Sequence, residues 1–466
     1  MISDKELPRL LEEVEDAFKN NDHLKALKQI TDLVRIFPRH TLVLNTAGII
    51  FAKTGEFSES EKYFKTLISI EPNNFRYKYN YVNLLVKEER FNEAELLMKE
   101  AFSQKKVDDE YYFQYTSLAV KVGKIEEAYE ILVNLVGKNP TNHDMRFALS
   151  TVMLAKGELD NGWKMYESRF LRNRVKISYK VASQDIVKGK IDRYSGQNLS
   201  DKTLLIHDEQ GYGDLIQFIR YVPLLKERYL NLFVILICKE PISSLMEKLD
   251  FIDQVFIYEE QEKINQINAD YWDFIMSIPK YFETNYSSLP LYLPYISFDS
   301  EIKEEHKNFI HPNKPNIGIC FKGNNKHLND QYRSIQNIKD LSPVLNLKGL
   351  NFVYLGVDDV SSEVKANNFS LCNSNSTIES FADLYSIIKN LDLVISVDTS
   401  IVHLSGAVNK ECYAIINSIS TDWRWGSDLK NSPWYPSVKI FRKGQKENWH
   451  QIFSDVSDFV RIKFDL

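Results

Sequence analysis

TLVLNTAGIIFAKTGEFSESEKYFKTLISIEPNN, residues 41–74, is one unit of a 34-residue period in the first third of the chain. In this unit a turn residue, Gly55, is followed five positions later by the small Ser60 and twelve further on by Pro72. The equivalent positions elsewhere are Asn21, Glu89, Gly123 and Gly157 at the turn, Ala26, Ala94 and Ala128 at the small position, and Pro38, Lys106 and Pro140 at the end. A small residue lets two antiparallel helices approach closely, and a proline ends the second helix. The period therefore predicts a stack of helical hairpins.

This period is that of the tetratricopeptide repeat. Four repeats cover about residues 7–142, and a fifth begins near His143 and runs through Gly157 and Trp163 without a terminal proline. We expect the fifth repeat to cap an array that occupies residues 1–170 and to join it to the next domain. Residues 171–200 are polar and mixed, which predicts a linker.

From residue 202 the pattern changes to short apolar runs separated by helical segments, which predicts parallel sheets with crossover helices. We assign residues 201–300 to an N-terminal lobe and 301–446 to a C-terminal lobe, with a ligand cleft facing the carboxyl ends of the strands. A last helix over 447–466 is expected to pack back on the N-terminal lobe. The predicted strands are 203–207, 232–238, 255–258, 274–278, 316–321, 352–355, 393–397, 413–416 and 438–441.

The bulk composition narrows the function classes. The net charge of −6 provides no basic excess for nucleic acid. The N-terminus does not have the pattern of a signal peptide, and the apolar run 232–238 is too short to span a membrane. The four cysteines lie far apart without metal-ligand spacing, which predicts free thiols. We therefore expect a cytoplasmic protein without a membrane span or a nucleic-acid partner.

A strand, a glycine-containing turn and a helix follow one another in Leu204-Leu205-Ile206-His207-Asp208-Glu209-Gln210-Gly211-Tyr212-Gly213-Asp214-Leu215. Glycines allow close approach of the backbone to a ligand. Asp214, at the start of the helix, is a candidate functional carboxylate. The same position also fits an aspartate that only caps the helix.

Two further strands end in polar loops. After the strand at 316–321 comes a loop that contains Gly323, Lys326, His327 and Arg333. Its lysine, histidine and arginine can supply the positive charge that a diphosphate requires, although an ordinary solvated loop has the same composition. The strand at 393–397 ends in Asp398-Thr399-Ser400 at a helix start, with His403 one turn further. Free N–H groups and hydroxyls there hold phosphate well. A capped helix with a packed histidine is the alternative.

Aromatic residues cluster in Asp422-Trp423-Arg424-Trp425 and Ser432-Pro433-Trp434-Tyr435-Pro436, after the strand at 413–416. These side chains suit stacking on a base or a sugar, and they equally suit the packed core of a loop.

These segments together resemble the bacterial tetratricopeptide glycosyltransferases, which are related to the heptosyltransferases of glycosyltransferase family 9 and to flagellin glycosyltransferases. The most specific motifs are Glu209-Gln210-Gly211-x-Gly213-Asp214-x-Ile216-Gln217-Phe218-x-Arg220-Tyr221 and Val397-Asp398-Thr399-Ser400-x-x-His403-Leu404. The implied fold is α + α/β, a tetratricopeptide solenoid followed by a GT-B module of two Rossmann-like lobes. Two positions depart from the family pattern, namely Phe321 in place of tryptophan and Asn409-Lys410-Glu411 in place of Gly-Lys-Pro.

The resemblance also implies roles for individual residues. Asp214 occupies the position of the catalytic base, and no metal or other cofactor is implied. The donor, a nucleotide-sugar, is assigned to Gly211, Gly213, Gly323, Lys326, His327, Arg333, Asp398, Thr399, Ser400, His403 and Trp423. The acceptor side is assigned to Glu209, Gln217 and Arg220.

The leading hypothesis is an inverting transferase that glycosylates Ser or Thr of a protein bound by the repeat array, with flagellin as one acceptor. Two alternatives remain open. One is a scaffold whose module has degenerated, and the other is a transferase that builds lipopolysaccharide or another glycan. The oligomeric state is left open.

Overall fold

The computed structural model describes residues 6–102, 109–172, 189–325, 327, 329–374, 377–444 and 447–466. The chain divides into two compact units, Met1–Val122 and Gly123–Leu466. The position of Lys326 lies outside the described residues, as does the part of the predicted linker at 173–188.

The first unit consists of helical hairpins with the predicted period. The turn positions Asn21, Gly55 and Glu89 have φ of 62°, 90° and 58°, so each turn uses the left-handed region. The small residues Ala26, Ser60 and Ala94 are fully buried between their helices. The helices are Leu7–Lys19, His23–Ile36, Thr41–Thr54, Phe57–Ile70, Phe75–Lys87, Phe91–Phe102 and Asp109–Lys121. The predicted solenoid repeat is therefore confirmed.

The second unit begins with three more helices, Ile125–Lys138, His143–Lys156 and Leu159–Tyr166, and the 3-10 helix Glu167–Leu171. Leu159, Trp163 and Tyr166 of the last pair share one apolar core with both lobes. The fifth repeat therefore packs against the module that follows it.

The N-terminal lobe is built on a parallel sheet of order β1-β5-β2-β3-β4. The strands are β1 (Asp192–Arg193), β2 (Thr203–His207), β3 (Phe233–Cys238), β4 (Gln254–Ile257) and β5 (Tyr271–Phe274). The helices are Tyr212–Phe218, Tyr221–Arg228, Glu240–Met246 and Gln261–Ile264, with the 3-10 helix Ile275–Phe282 at the end.

The C-terminal lobe contains a second parallel sheet, of order β11-β10-β9-β6-β7-β8. Its strands are β6 (Asn316–Cys320), β7 (Asn351–Tyr354), β8 (Cys372–Asn373), β9 (Leu393–Val397), β10 (Cys412–Asn417) and β11 (Val438–Lys443). The α-helices are Glu304–Lys307, Asp330–Arg333, Ser342–Leu345, Ser361–Ala366, Phe381–Lys389, Ser400–Ala407 and Trp449–Phe464, and the 3-10 turns are Ile338–Leu341 and Trp423–Trp425. Two Rossmann-like lobes after a helical array are the predicted fold class.

Three boundaries differ from the predictions. Strand β1 extends the first sheet, so the lobe begins inside the segment predicted as a linker. The strand predicted at 274–278 is misplaced, because β5 covers Tyr271–Phe274 and the next residues form the 3-10 helix Ile275–Phe282, in which the Met276 N–H donates to the buried Glu209 carboxylate at 3.2 Å. The last helix was predicted to cover the N-terminal lobe, but its apolar face packs on the second sheet, beside the C-terminal lobe residues Ile317 and Phe352.

All four cysteines are unpaired, as predicted, and Cys238, Cys320 and Cys412 are buried. None of the helices in the described ranges has the length and apolar character needed to cross a bilayer.

Candidate functional site

The turn after β2 presents Asp214 at the boundary between the lobes. Gly211 caps the helix Tyr212–Phe218, and Asp214 is its third residue, so the proposed N-cap role is wrong in position. The Asp214 Oδ2 atom accepts the Gly211 N–H at 2.7 Å. At Gly213 a Cβ atom would lie 2.6 Å from Cδ2 of His403, so only glycine permits this approach between the lobes.

The opposing helix start belongs to Ser400–Ala407, which follows β9. Thr399 caps it and accepts the Ile401 N–H at 3.3 Å, while its hydroxyl lies 3.2 Å from that of Ser396. Ser400 is the first residue of the helix, and its hydroxyl makes no hydrogen bond to the described part of the chain. This helix start therefore has the hydroxyl and the N-terminal polarity that a phosphate requires.

His403 is buried one turn into this helix, with Nδ1 3.0 Å from the Tyr435 hydroxyl. Burial and the charges of Arg424 and Arg220 hold its pKa well below the usual range. The ring is therefore uncharged at neutral pH. It can contribute a hydrogen bond to a ligand but no positive charge.

The loop after β6 is fastened to the loop after β9. Arg333 donates to the Asp398 carbonyl at 3.2 Å, and the Gly323 N–H donates to Ser334 Oγ at 2.7 Å. A Cβ atom on Gly323 would lie 2.8 Å from the Arg333 guanidinium. Partial burial and Arg333 lower the pKa of His327. The predicted Gly323, His327, Arg333 and Asp398 are thus brought together at one edge of the second sheet.

Asp398 has an unusual carboxyl group. Burial and the charge of Asp422 raise its pKa to about 6, against the opposing effect of Arg333 and Arg424. A substantial fraction of Asp398 is therefore protonated just below neutral pH and can donate a hydrogen bond.

The predicted acceptor residues lie in the interior. Glu209, Gln217 and Arg220 are 4%, 0% and 0% exposed. Arg220 donates to the Trp434 carbonyl at 2.9 Å and to the Tyr295 hydroxyl at 3.0 Å, which ties the lobes together. Glu209 and Arg220 are therefore held by internal partners, whereas the Gln217 Nε2 atom is buried without a hydrogen-bond partner among the described residues, and the acceptor-side assignment stays a prediction.

Trp423 was predicted to bind the donor. Its ring lies 5.4 Å from that of Trp163 in the repeat cap and 5.8 Å from that of Trp434, edge to face in both cases. It is half-buried and forms part of an aromatic cluster, in agreement with the alternative of a packed loop.

The repeat cap directly contacts the turn between β2 and Asp214, a feature that sequence reasoning missed. Arg169 donates to both oxygens of Glu209 at 3.0 and 2.8 Å, with both side chains almost fully buried. Gln210, which has a φ of 61°, donates to the Tyr166 hydroxyl at 2.5 Å. No sequence signal marks Arg169 or Tyr166 as partners of this turn, because they lie about forty residues before it.

We expect Arg169→Met to destabilise the second unit by about 3–5 kcal/mol, because Glu209 would remain buried without its counter-ion. Urea denaturation followed by tryptophan fluorescence measures the loss. Lys164→Met is the control, since Lys164 pairs with Asp160 at the surface and its removal should leave stability unchanged. Equal effects of the two substitutions would contradict the importance of the buried pair.

His207 provides a pH-dependent prediction. Its ring is fully buried near Trp272 and Phe274, and burial lowers its pKa to about 4. Neither ring nitrogen has a hydrogen-bond partner in the part of the chain that the structure describes. Because the pKa in the unfolded chain is higher, the stabilisation is complete above pH about 6.5 and is lost as the pH falls towards about 4.

In urea denaturation, His207→Phe should therefore remove a pH dependence on the order of 3 kcal/mol between those limits. Parallel stability curves for the wild type and the variant would contradict this assignment. Comparing the two cancels the contributions of the other histidines.

Comparisons with known proteins give the following similarities. No family model matches the chain. Protein FlbA of Caulobacter vibrioides is 25% identical over 331 residues, which cover 64% of this chain and 52% of FlbA, so the chain spans about half of that relative. A glycosyltransferase family 9 structure from Veillonella parvula is 10% identical, with a TM-score of 0.43, and the matched region covers 58% of this chain and 98% of that chain. A tetratricopeptide repeat protein from Thermus thermophilus is 16% identical, with a TM-score of 0.32, and the matched region covers 37% of this chain and 95% of that chain.

Proposed function

We propose that this chain is an inverting glycosyltransferase that uses a nucleotide-sugar donor and modifies Ser or Thr of a protein acceptor. The observation that carries the proposal is the meeting of two elements from opposite lobes. The turn bearing Asp214 lies against the helix that starts at Ser400, with Gly213 in contact with His403. One element offers a carboxylate and the other a phosphate site, the two groups that glycosyl transfer needs.

In the proposed reaction the donor diphosphate lies at the Ser400 helix start and near Arg333, with Lys326 as a further candidate ligand. The helix polarity and these cations stabilise the charge that develops on the leaving diphosphate. The acceptor hydroxyl attacks the anomeric carbon, its proton passes to Asp214, and the bond from that carbon to the diphosphate oxygen breaks. One displacement inverts the anomeric centre. The family resemblance implies that no metal takes part.

The proposed protein acceptor rests on the repeat array, because stacked helical repeats form extended surfaces suited to polypeptides. The resemblance to flagellin glycosyltransferases makes flagellin the first acceptor to test. A glycan acceptor would not require the extended surface of such an array. A scaffold whose module has degenerated predicts no transfer, whether or not a nucleotide binds.

A nucleotide-binding screen tests the proposal. Nucleoside diphosphates and monophosphates at millimolar concentration should raise the melting temperature, and a soaked crystal should place the nucleotide beside Ser400 and Arg333. Absence of binding, or a nucleotide bound elsewhere, would contradict the proposed site. Transfer is then measured by the mass of flagellin after incubation with each nucleotide-sugar.

A matched pair of variants locates the phosphate site. Ser400→Asp keeps a favourable charge at a helix start but should repel the diphosphate and abolish the thermal shift. Ser342→Asp makes the same change at the first residue of another helix of this lobe, and should leave binding intact. An equal loss in both variants would contradict the site.

A further inference from the structure

Arg424 reaches from the C-terminal lobe to the N-terminal lobe. It lies in the turn Trp423–Trp425 and is 6% exposed. Its Nη2 atom donates to Asp214 Oδ1 and its Nε atom to Gln217 Oε1, both on the helix Tyr212–Phe218. Its Nη1 atom donates to the two oxygens of Asp422 at 3.0 and 3.2 Å. One guanidinium therefore joins the two lobes through the side chain of Asp214.

The Arg424 side chain is held in one orientation. The guanidinium lies 4.3 Å from the centre of the Trp423 ring, which is itself packed between Trp163 and Trp434. The Arg424 backbone N–H donates to Asp422 at 3.0 Å. A planar guanidinium fixed in this way presents its donors to a carboxylate in a defined direction.

Asp214 is held at both of its oxygens, one by Arg424 and the other by the Gly211 N–H. Each carboxylate oxygen has about two lone-pair sites, so a site remains on each for an incoming hydroxyl. The two bonds therefore orient the carboxylate without using up its capacity to accept a proton.

The electrostatics make Arg424 the important neighbour of Asp214. Burial raises the pKa of Asp214, and the charge of Arg424 opposes that effect most strongly. Asp422 on the same turn acts in the raising direction, and Lys239 after β3 in the lowering direction. Lys239 is paired with Asp208 at 2.7 Å. The remaining groups that interact with or lie against this helix start are Tyr166 from the repeat cap, His327 from the loop after β6, and the uncharged His403.

We propose that Arg424 is a positioning residue for sugar transfer. It holds the Asp214 carboxylate from the opposite lobe, so the base has its working orientation only while the two lobes are in contact. This inference rests on the proposed function, in which Asp214 is the base. Arg424 already pairs with the carboxylates of Asp214 and Asp422, so its positive charge is balanced before any diphosphate binds. Its contribution is made through Asp214.

The test is the pH dependence of kcat/KM for nucleotide release from the nucleotide-sugar that the transfer assay selects. On the acidic side of this profile, kcat/KM falls as the Asp214 carboxylate becomes protonated. In Arg424→Gln this acidic limb should move to higher pH by about one unit or more, since a nearby guanidinium lowers a carboxyl pKa by about 1–3 units. At a pH below the acidic limb of both enzymes, kcat/KM of Arg424→Gln should be lower than that of the wild type by about tenfold for each pH unit of the shift. Nucleotide affinity should be unchanged.

Two more variants keep the test decisive if Arg424→Gln folds poorly. Arg424→Lys retains the charge and should return the limb towards the wild-type pH. Asp422→Asn keeps an oxygen for the Arg424 N–H but removes a negative charge, so its limb should move to lower pH. A purely structural role for Arg424 predicts no such opposite movements.

Arg442→Gln is the matched control. Arg442 donates to the Trp425 carbonyl at 2.8 Å and so supports the same turn without contacting Asp214. Its removal should leave the acidic limb in place even if the melting temperature falls.

A double-mutant cycle on urea unfolding tests the pairing without any substrate. Arg424→Gln should cost clearly less stability in an Asp214→Asn background than in the wild type. Additive effects would overturn the pairing. An unmoved acidic limb in Arg424→Gln would overturn the positioning role, and weaker nucleotide binding with an unmoved limb would make Arg424 a donor ligand instead. If Asp214→Asn itself retained transfer, Asp214 would not be the base and the positioning role of Arg424 would fail with it, and the cycle would still decide whether the two side chains are coupled. Absence of transfer in the wild type would instead count against the proposed function.

Discussion

Asp214→Asn is expected to reduce sugar transfer by about 10²–10⁴-fold, the range typical of a lost general base, with nucleotide affinity unchanged. Asparagine keeps an oxygen for the Gly211 N–H, so the turn retains its geometry. It loses the charge that pairs with Arg424, so the melting temperature should fall more than loss of a helix-terminal contact alone would cause. Nucleotide release and acceptor mass measure transfer, and a thermal-shift titration measures affinity.

Asp208→Asn is the matched control for this prediction. Asp208 lies on the same turn and pairs with Lys239 at 2.7 Å, so it too loses an ion pair while the Asp214 carboxylate is retained. It should keep most of the transfer activity. Near-wild-type turnover by Asp214→Asn would refute the catalytic role. Glu209 and His207, which also lie near this turn, are both buried in internal packing. The base would then have to be sought outside this turn.

Removal of residues 1–122 is expected to abolish modification of the protein acceptor while leaving nucleotide binding intact. The residues of the proposed phosphate site and Asp214 all belong to the unit Gly123–Leu466. The cut falls after Val122 because Ile125–Lys138 belongs to this second unit and packs against His143–Lys156. Acceptor mass and nucleotide-induced thermal shift are the two measurements.

A melting curve of the shortened chain must show cooperative unfolding, since removing stacked repeats exposes an apolar face. Modification of the native acceptor at the full rate would show that the first unit does not recognise it. Loss of both nucleotide binding and modification, in a chain that still unfolds cooperatively, would contradict the independence of the phosphate site.

The sequence by itself determined the helical array and the two sheets, because these depend on local patterns. The period marked by Gly55 and Ser60 requires only a turn and a close approach between neighbouring helices. The apolar runs of β2 and β9 are buried inside their own sheets, whatever the arrangement of the two lobes. The polar residues that follow parallel strands collect at one edge of each sheet, so Asp214 and Ser400 could be chosen before their surroundings were known.

Only the tertiary structure decided which of these side chains are open and which are already paired. Arg424 and Asp214 are 210 positions apart, and their contact exists because the turn Trp423–Trp425 of one lobe meets a helix of the other. Glu209 has the composition of a site residue, but its carboxylate is neutralised by Arg169 from the repeat cap. Burial and the nearby charges of Arg424 and Arg220 lower the pKa of His403, so its ring is uncharged at neutral pH. Local spacing fixes the type of residue at each position, whereas charge, access and pairing follow from elements brought together over long separations in the chain.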